Sequence, residues 1–261
     1  MQIPPDKKIY FLSDFHLGAP NFEKSLAREK LIVRFLEEHK HDAAEIFIVG
    51  DMFDFWYEYR KVVPKGFVRL LGKIAELTDA GISVRVFVGN HDMWMSSYLQ
   101  RELNVPVYFG PREFVFNNKH FHIAHGDGLG PGDHGYKSLK KVFRNPLSKL
   151  LFGILPPYLG IGLADFFSRK SREATGTVEE KFLGEEKEWL ILYSKEKLQE
   201  KKIDFFVFGH RHLPIDFRLN SESRYINLGD WVQYFTYAVF DGVELKLESY
   251  TGQEHKIYRN T

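Results

Sequence analysis

The 261-residue sequence contains no cysteine, which excludes a disulfide framework and any metal site built on thiolates. A reducing compartment fits such a chain without being required by it. The chain also has no excess of positive or negative charge, since its formal net charge is only +1. That balance excludes a generally basic nucleic-acid-binding protein. We expect no nucleic acid among its partners, and the sequence indicates no obligate protein partner.

Long hydrophobic runs are absent as well. The longest uncharged run in an apolar region, Leu150 to Ala164, has 15 residues and includes Pro156-Pro157 and three glycines. A helix that crosses a bilayer needs about 20 apolar residues, so this run is too short and too broken. The N-terminal residues lead directly into a predicted strand, and we expect no signal peptide. The sequence predicts a soluble or peripheral protein.

Length and hydrophobic pattern together predict one domain over 1–261 with an insertion. Helices predicted over 23–40 and 66–80 alternate with strands over 9–13, 45–49 and 84–88, which indicates a parallel sheet with crossover helices. Hairpin turns are predicted at Asn117-Asn118 and Asp241-Gly242. We expect three or four late strands, over 215–219, 224–228, 234–240 and 243–250, to form a second sheet.

Five predicted strands each end in Asp, Asn or His. Open α/β folds place their functional sites at such strand ends, so we expect these side chains to meet. Any one of them alone reads as an ordinary surface turn, but five in one order do not. The residues are Asp14 and His16, Asp51, Asn90 to Asp92, His125 to Asp127, and His210 and His212. His120 and His122 lie within a strand and read as ordinary strand histidines.

These residue types fit a pair of divalent metal ions. Imidazole suits Mn, Fe, Zn or Ni, and carboxylate and amide oxygens suit harder cations, so the mixture favours a borderline ion such as Mn²⁺. Asp51 offers two oxygens and is the natural bridge between two ions. His210 and His212 are two residues apart on one loop, so each can face a different ion.

The order Asp-x-His, Gly-Asp, Gly-Asn-His-Asp, His-Gly-Asp and Gly-His-x-His resembles that of the calcineurin-like metallophosphoesterases. The resemblance implies an α/β fold of four layers: a two-sheet β-sandwich flanked by helices, which here carries a helical insertion over 134–202. It implies a metal-dependent phosphoester or pyrophosphate hydrolase with two divalent ions, Mn²⁺ being the expected one. One ion would be held by Asp14, His16, Asp51 and His212, and the other by Asp51, Asn90, His125 and His210.

The resemblance also implies that the residue after the ligand asparagine faces the scissile phosphate. Here that residue is His91, which we expect to be catalytic without holding a metal. Its imidazole would protonate the leaving group or stabilise phosphoryl charge, with Asp92 next to it to hold its proton. We expect Asn90 to Asp92 to open a helix that runs toward Glu102.

The insertion combines basic clusters with apolar residues. Tyr136 to Arg172 contains eight Lys or Arg residues and one acidic residue, Asp165. An anionic lipid surface or an acyl-chain ligand would suit this composition, and so would a cap packed on the core. We predict that Thr177 to Lys202 is one charged helix. The aromatic loop over 53–59 is either a wall above the metal site or ordinary core packing.

The insertion is similar to the lid of the UDP-2,3-diacylglucosamine pyrophosphatases, which act in lipid A biosynthesis on the cytoplasmic face of the bacterial inner membrane. Matches include Asp133-His-Gly-Tyr136 and Ser171-Arg-Glu-Ala-Thr175. The resemblance implies a lipid-linked sugar nucleotide as substrate and peripheral contact with an anionic membrane. It implies these substrate-binding residues: Asn90, His91, Asp133, Ser171, Thr175, His210 and, in place of a lysine expected at Val178, Lys181. A second departure is His91, where the best-known members have arginine.

Three functions remain open at this point. The first is hydrolysis of UDP-2,3-diacylglucosamine to UMP and 2,3-diacylglucosamine 1-phosphate by a cytoplasmic protein, peripheral on the cytoplasmic face of the inner membrane. The second is a soluble metallophosphoesterase for nucleotides, phosphoproteins or nucleic acids. The third is a scaffold without catalysis, which the complete ligand set disfavours.

Overall fold

The computed structural model describes residues 1–132, 134–175 and 181–260, and for residues 134–136, 165, 169 and 171–175 it describes the backbone alone. The strands are β1 (Lys8–Leu12), β2 (Ala43–Val49), β3 (Ser83–Phe87), β4 (Val107–Tyr108), β5 (Arg112–Phe116), β6 (Lys119–Ala124), β7 (Phe205–Phe208), β8 (Pro214–Arg218), β9 (Arg224–Leu228), β10 (Thr236–Phe240), β11 (Leu245–Ser249) and β12 (Tyr258–Arg259). The helices are α1 (Phe22–His39), α2 (Val68–Asp79), α3 (Tyr98–Leu103), α4 (His134–Arg144), α5 (Pro146–Ile154), α6 (Pro157–Thr175) and α7 (Trp189–Glu200).

The strands form two mixed sheets. The first sheet has the order β11-β10-β1-β2-β3-β4, and the strands β1 to β4 run parallel, as the alternation of strands and helices predicts. The second sheet has the order β12-β8-β9-β7-β6-β5, in which β6, β7 and β9 run parallel. The predicted parallel sheet with crossover helices is confirmed.

The last strands do not all join the second sheet, so that part of the prediction is wrong. β10 pairs antiparallel with β1, and β11 extends the first sheet beyond β10. The chain passes from the second sheet to the first between β9 and β10. In that connection the Asp230 carboxylate accepts hydrogen bonds from the backbone N–H groups of Val232, Gln233 and Tyr234. This capped turn redirects the chain, and Phe240 enters the core between the sheets.

Three apolar clusters give the molecule four layers. One cluster packs α1 and α2 on the outer face of the first sheet, with Phe35 and Ile74 at its centre. A phenylalanine-rich cluster fills the space between the sheets and contains Phe47 and Phe121. The third packs α7 on the second sheet through Ile191. The α/β four-layer sandwich expected from the resemblance is confirmed.

Two predicted helices differ from the structure. Residues 90–97 are irregular, because Asp92 is fully buried and its carboxylate accepts hydrogen bonds from Met52, Phe53 and Gly89 backbone N–H groups instead of capping a helix. The charged helix predicted from 177 begins only at Trp189. Residues 181–188 are not helical, and residues 176–180 lie outside the described part of the chain. Both hairpins are confirmed.

The helices α4, α5 and α6, here called the lid, dock on the aromatic loop over 53–59 and on Trp94. The Phe152 ring lies 4.9 Å from that of Tyr57 and 4.6 Å from that of Trp94, measured between centroids. The Tyr57 hydroxyl donates to the Lys149 carbonyl at 2.7 Å, and Trp94 Nε1 donates to the Phe143 carbonyl at the same distance. No helix in the described part of the chain is long and apolar enough to cross a membrane.

Candidate metal centre

All seven predicted ligand residues lie at one edge of the sandwich, where five strands end. Asp14 and His16 follow β1, Asp51 follows β2 and Asn90 follows β3. From the other sheet, His125 follows β6, and His210 and His212 follow β7. Because β1, β2 and β3 are parallel, as are β6 and β7, the chain delivers every one of these side chains to the same side.

The first group of side chains contains Asp14, His16 and His212. Their ligand atoms all lie within 4.8 Å of one another. His16 Nε2 lies 3.2 Å from His212 Nε2 and 3.6 Å from Asp51 Oδ2, while His212 Nε2 lies 3.4 Å from Asp14 Oδ1. These four residues are the ones expected to hold one ion.

The second group surrounds the Asn90 side chain. His125 Nε2 lies 3.1 Å and His210 Nδ1 lies 2.9 Å from Asn90 Oδ1. His125 Nε2 is also 3.3 Å from Asp51 Oδ2, the oxygen that faces the first group. Asp51 is therefore shared by both groups, as a bridging ligand must be.

The side chains in both groups fit a pair of divalent cations. Asp14 Oδ1 and Asp51 Oδ2 are fully buried, yet neither oxygen accepts a hydrogen bond from any described residue. Leaving a buried carboxylate oxygen without a partner is costly, and a cation coordinated there would remove that cost. Imidazole nitrogens with carboxylate and amide oxygens form a donor set suited to transition metals.

Outer hydrogen bonds orient two of the imidazoles. His125 Nδ1 lies 2.9 Å from the Val49 carbonyl, which can only accept, so Nδ1 carries the proton and Nε2 is left for a metal. His212 Nδ1 lies 3.2 Å from Asp230 Oδ2 and is fixed in the same way. Both rings therefore present Nε2 to the site.

Charge within the site is strongly coupled. Burial alone would raise the pKa of Asp51, but the imidazoles of His125 and His91 outweigh it and hold that pKa well below its usual range. Burial alone would lower the pKa of His125, yet the Asp51 carboxylate raises it to about 10. The carboxylates therefore draw positive charge into the site, which protons or a metal ion can supply.

Backbone geometry at the site is strained. Asp14, His16, Asp51, His210 and His212 all have positive φ, between 43° and 66°. Non-glycine residues adopt this left-handed region rarely, and clusters of them mark functional sites. The two Asp-or-His pairs, 14 with 16 and 210 with 212, use the same conformation to point both side chains inward.

His91 lies beside the first group, and the structure gives it partners that the sequence does not predict. Its Nδ1 is 3.1 Å from the Asp54 carbonyl and 3.1 Å from Ser168 Oγ on α6. Ser168 Oγ in turn donates to Asp54 Oδ2 at 2.9 Å. A carbonyl cannot donate, so Nδ1 bears a proton and Nε2 is the atom left for chemistry. Burial lowers the pKa of His91, while the nearby Asp51 carboxylate opposes that effect.

The expected pairing of Asp92 with His91 is wrong. No hydrogen bond or ion pair among the described residues joins them, because the Asp92 carboxylate is occupied by the backbone N–H groups of two neighbouring loops. Asp92 therefore holds the loop that carries Asn90 and His91 against the loop that carries Asp51. Asp54 and Ser168 occupy the place at His91 that was expected for Asp92.

The substrate-binding residues expected on the insertion are only partly visible. Asp133 lies outside the described residues, as do the side chains of Ser171 and Thr175 on α6. The Lys181 side chain is exposed, and its carbonyl accepts a hydrogen bond from Arg211 Nη2 at 2.6 Å. No contact in the described part of the chain joins the Lys181 ammonium group to the seven ligand residues.

Four further residues support the site and were missed in the sequence. Asp54 lies 3.5 Å from His16 Nδ1, Asp230 orients His212, and Ser168 reaches down from the lid. Arg211, between two ligand histidines, is buried and pairs with Glu188 at 3.1 Å. Only Asp54, three residues after Asp51 in the same block, carries a signal that sequence reasoning could have used.

Comparisons with known proteins agree with this geometry. The sequence model of the calcineurin-like phosphoesterases matches residues 7–214. A UDP-2,3-diacylglucosamine hydrolase of Porphyromonas gingivalis is 41% identical over 95% of this chain and 99% of its own length. Proteins of the same name from Ectopseudomonas mendocina and Haemophilus influenzae are 27% and 24% identical, over 85% and 86% of this chain and 90% and 91% of their own lengths.

Proposed function

The chain belongs to the calcineurin-like phosphoesterase family of metal-dependent hydrolases, and from that premise we propose that it hydrolyses UDP-2,3-diacylglucosamine to UMP and 2,3-diacylglucosamine 1-phosphate. The observation that carries this proposal is an apolar, basic lid docked beside the metal centre. The relative from Porphyromonas gingivalis, similar over nearly the full length of both chains, supports the same substrate. The segment 134–202 is in this proposal an insertion within one domain over 1–261.

The lid exposes a large apolar surface, here called the lid apolar face. Twelve of the twenty-one exposed large hydrophobic side chains in the described residues belong to it. They recur at helical spacing, so each helix presents a stripe. The twelve are Leu139, Val142, Phe143, Leu147, Leu150, Leu151, Ile154, Tyr158, Leu159, Leu163, Phe166 and Phe167. Each buried CH₂ group of an acyl chain contributes about 0.8 kcal/mol, so such a face would bind two acyl chains strongly.

In this proposal, Asp14, His16, Asp51 and His212 hold one ion, and Asp51, Asn90, His125 and His210 hold the other, with Mn²⁺ as the resident metal. Divalent ions in such a site neutralise charge on phosphoryl oxygens and lower the pKa of water. The protein supplies the fixed positions of these groups, since its outer hydrogen bonds orient the rings before substrate arrives.

His91 acts on the phosphate without holding a metal. Its Nδ1 proton is directed to the Asp54 carbonyl and Ser168 Oγ, so Nε2 is the ring nitrogen left to act on the substrate. When protonated, Nε2 donates to a phosphoryl oxygen or to the departing group, a contribution of about 10²–10⁴ in rate for a positioned acid. Asn90 and His210 lie beside it and contact the substrate from the second group. Asp133, Ser171, Thr175 and Lys181 are proposed to contact the sugar or phosphates.

The protein is further proposed to work at the cytoplasmic face of the inner membrane as a peripheral protein. Lys149 and Lys170 lie on the same helices as the lid apolar face, and each basic residue near an anionic surface contributes about 1 kcal/mol to membrane attraction. Sedimentation with vesicles tests this. Binding to vesicles that contain phosphatidylglycerol but not to purely zwitterionic ones is expected, and equal absence of binding to both would contradict it.

A turnover panel tests the substrate. The Mn²⁺-loaded protein should release UMP from UDP-2,3-diacylglucosamine, followed by mass spectrometry, far faster than from the same sugar nucleotide without acyl chains. Leu151→Asn and Phe167→Asn should slow the acylated substrate specifically, and Val243→Asn, an exposed apolar residue outside the lid, is the matched control. Equal rates on acylated and unacylated substrates would exclude the lipid and leave another phosphoester as the substrate.

A further inference from the structure

A cavity of about 580 Å³ opens beside His125 of the second group of ligands, between helix α4 and the loops after β4 and β6, and the function proposed above does not use it. One wall is formed by His125 to Leu129 after β6, and another by Phe109, Gly110 and Pro111 after β4. The helix α4 closes it from the lid side. His125 lines both the cavity and the candidate metal centre, so a ligand in the cavity would lie next to that centre.

The α4 side of the cavity is strongly basic. Lys137, Lys140, Lys141 and Arg144 all line it, and their spacing of three, four and seven residues places them on one face of the helix. Lys140 pairs with the Asp127 carboxylate, and Lys137 donates to the Gly130 carbonyl. No described residue forms a hydrogen bond or ion pair with Lys141 or Arg144. Among the described residues that line the cavity, four basic side chains and one carboxylate give a surplus of positive charge.

Another part of the lining is apolar and includes an exposed aromatic ring. Phe109, which directly follows the half-buried strand β4, is 46% exposed. Phe87, Val88 and Pro111 continue this wall. An exposed aromatic ring and several basic side chains in one cavity are the combination that proteins use for nucleotides, since bases stack on rings and phosphates need cations. The volume lies in the range of small-ligand sites, about 300–1,000 Å³.

We propose that this cavity binds the nucleoside monophosphate half of the substrate, with the base against Phe109 and the negative charge toward Lys141 and Arg144. This inference rests on the proposed function, because that substrate has a nucleotide half and a lipid half. The two halves would then lie on opposite sides of the metal centre: the nucleotide below α4 and the acyl chains on the lid apolar face. The scissile pyrophosphate would lie between them.

Calorimetric titration with UMP tests the cavity without any lipid. The Mn²⁺-loaded protein should bind UMP, and Phe109→Ala should weaken binding about tenfold or more, as the loss of one base–ring stack predicts. The double variant Lys141→Gln with Arg144→Gln should weaken UMP and inorganic phosphate together, whereas Phe109→Ala should leave phosphate unaffected. Phe22→Ala and Lys30→Gln, an exposed ring and an exposed charge on α1, are the matched controls and should bind UMP like the unaltered protein.

Several outcomes would overturn the inference. One is no UMP binding by the unaltered protein, and another is UMP affinity that does not change in either cavity variant. A third is a double variant that loses only binding to anionic vesicles, which would make α4 a membrane-contact surface. Failure of the proposed function gives a different result, because a protein that binds UMP through Phe109 but does not cleave the acylated substrate keeps the cavity assignment.

Discussion

The five ligand residues with positive φ impose a cost that neighbouring backbone hydrogen bonds offset. Each such residue costs on the order of 1–3 kcal/mol relative to an ordinary conformation. Asp14 N–H donates to the Gly50 carbonyl at 3.1 Å and His16 N–H to the Asp51 carbonyl at 2.9 Å, so the loops after β1 and β2 brace each other. The strained conformations are thereby fixed before any ion or substrate binds.

Glycine at position 89 is required by close approach. A Cβ atom there would lie 2.1 Å from Asp51 Oδ1 and 2.6 Å from the Asp51 backbone nitrogen. We expect Gly89→Ala to displace Asp51 and so to lower metal occupancy at both proposed metal positions. It should also destabilise the fold by about 1–3 kcal/mol, the range for overpacking. Gly72→Ala is the matched control, because nothing lies within 4 Å of that position in α2 and the change should stabilise by about 0.5–1 kcal/mol. Equal melting temperatures for the two variants would refute the steric argument.

The shared position of Asp51 predicts different metal contents for two variants. Asp51→Ala removes a ligand from both groups and should leave the protein with little of either metal, whereas Asp14→Ala directly weakens only the group with His16 and His212. Elemental analysis after manganese loading measures the metal-to-protein ratio. Two full equivalents of metal in the Asp51→Ala protein would rule out the bridging role.

Ser168 couples the lid to His91, and this predicts a split between binding and rate. Ser168→Ala removes the hydroxyl that contacts His91 Nδ1 and Asp54 Oδ2, so kcat should fall about tenfold, the effect of about 1.4 kcal/mol, while KM for the acylated substrate changes little. Ser168→Thr keeps a hydroxyl and should restore most of the rate. His91→Ala is the reference, with a larger loss of kcat and normal metal content. A raised KM with unchanged kcat in Ser168→Ala would show that Ser168 only shapes the lid.

Whether a site residue could be predicted from the sequence depends on whether its partners lie close to it in the sequence. The convergence of the seven candidate ligands could be predicted because each one follows an apolar strand, and parallel strands bring their ends together. Asp230 and Ser168 could not, because each acts through a side chain that is 18 or 77 residues away in the sequence. Asp92 was misassigned for the same reason: its partners Met52 and Phe53 lie 40 and 39 residues earlier in the sequence.

At the scale of elements, the aromatic loop over 53–59 has two functions instead of one. Phe53 and Trp56 are fully buried in the core beside α2, as ordinary packing predicts. Phe55, Tyr57 and Tyr59 face the lid and contact the ring of Phe152. The loop that directly follows Asp51 therefore fixes the lid next to the metal centre.

Two neighbouring residues on α5 separate docking of the lid from its substrate surface. Phe152→Ala should free the lid from the core, since it removes ring contacts with Phe55, Tyr57 and Trp94 and costs about 3 kcal/mol of local stability. Leu151, 56% exposed, is the matched control, and Leu151→Ala should leave docking intact. Hydrogen exchange of α5 amides should accelerate only in Phe152→Ala. Unchanged exchange in that variant would contradict docking through Phe152.

Helix boundaries near the site were the least predictable elements. The pattern over 177–202 is that of one amphipathic helix, but Glu188 is drawn into a buried pair with Arg211 and accepts a hydrogen bond from the Leu183 N–H group. Because of that tertiary ion pair, the helix begins only at Trp189 and does not extend toward residue 181. The hairpin at Asn117 and Asn118 was predictable because both residues, at φ 46° and 64°, adopt the left-handed conformation that a two-residue turn requires and that asparagine tolerates.

At the scale of the whole molecule, the metal centre joins the two sheets. The candidate ligands that follow β1, β2 and β3 come from one sheet and those that follow β6 and β7 from the other, so ions held between them would connect both halves of the sandwich. Anything that binds the native state alone stabilises it by mass action. Metal should therefore act on global stability as well as on catalysis.

Removal of metal should lower the melting temperature. At a free metal concentration 100 times the dissociation constant, binding contributes about 2.7 kcal/mol per site, which corresponds to roughly 5 °C or more for a chain of this size. Calorimetry with and without a chelator measures the change, and readdition of Mn²⁺ should reverse it. The chelator should have little further effect on the melting temperature of the Asp51→Ala protein. An equally large decrease in that variant would show that the stabilisation does not come from ions held by Asp51.

The lid apolar face has a consequence for how turnover scales with the amount of lipid. A protein with twelve exposed large hydrophobic side chains on its lid, beside basic residues, concentrates in two dimensions at an anionic lipid boundary. Its effective substrate concentration is then the mole fraction of substrate in that boundary and not the moles per litre of buffer. Inert lipid added at constant bulk substrate should slow the enzyme by surface dilution, because encounters occur within a film.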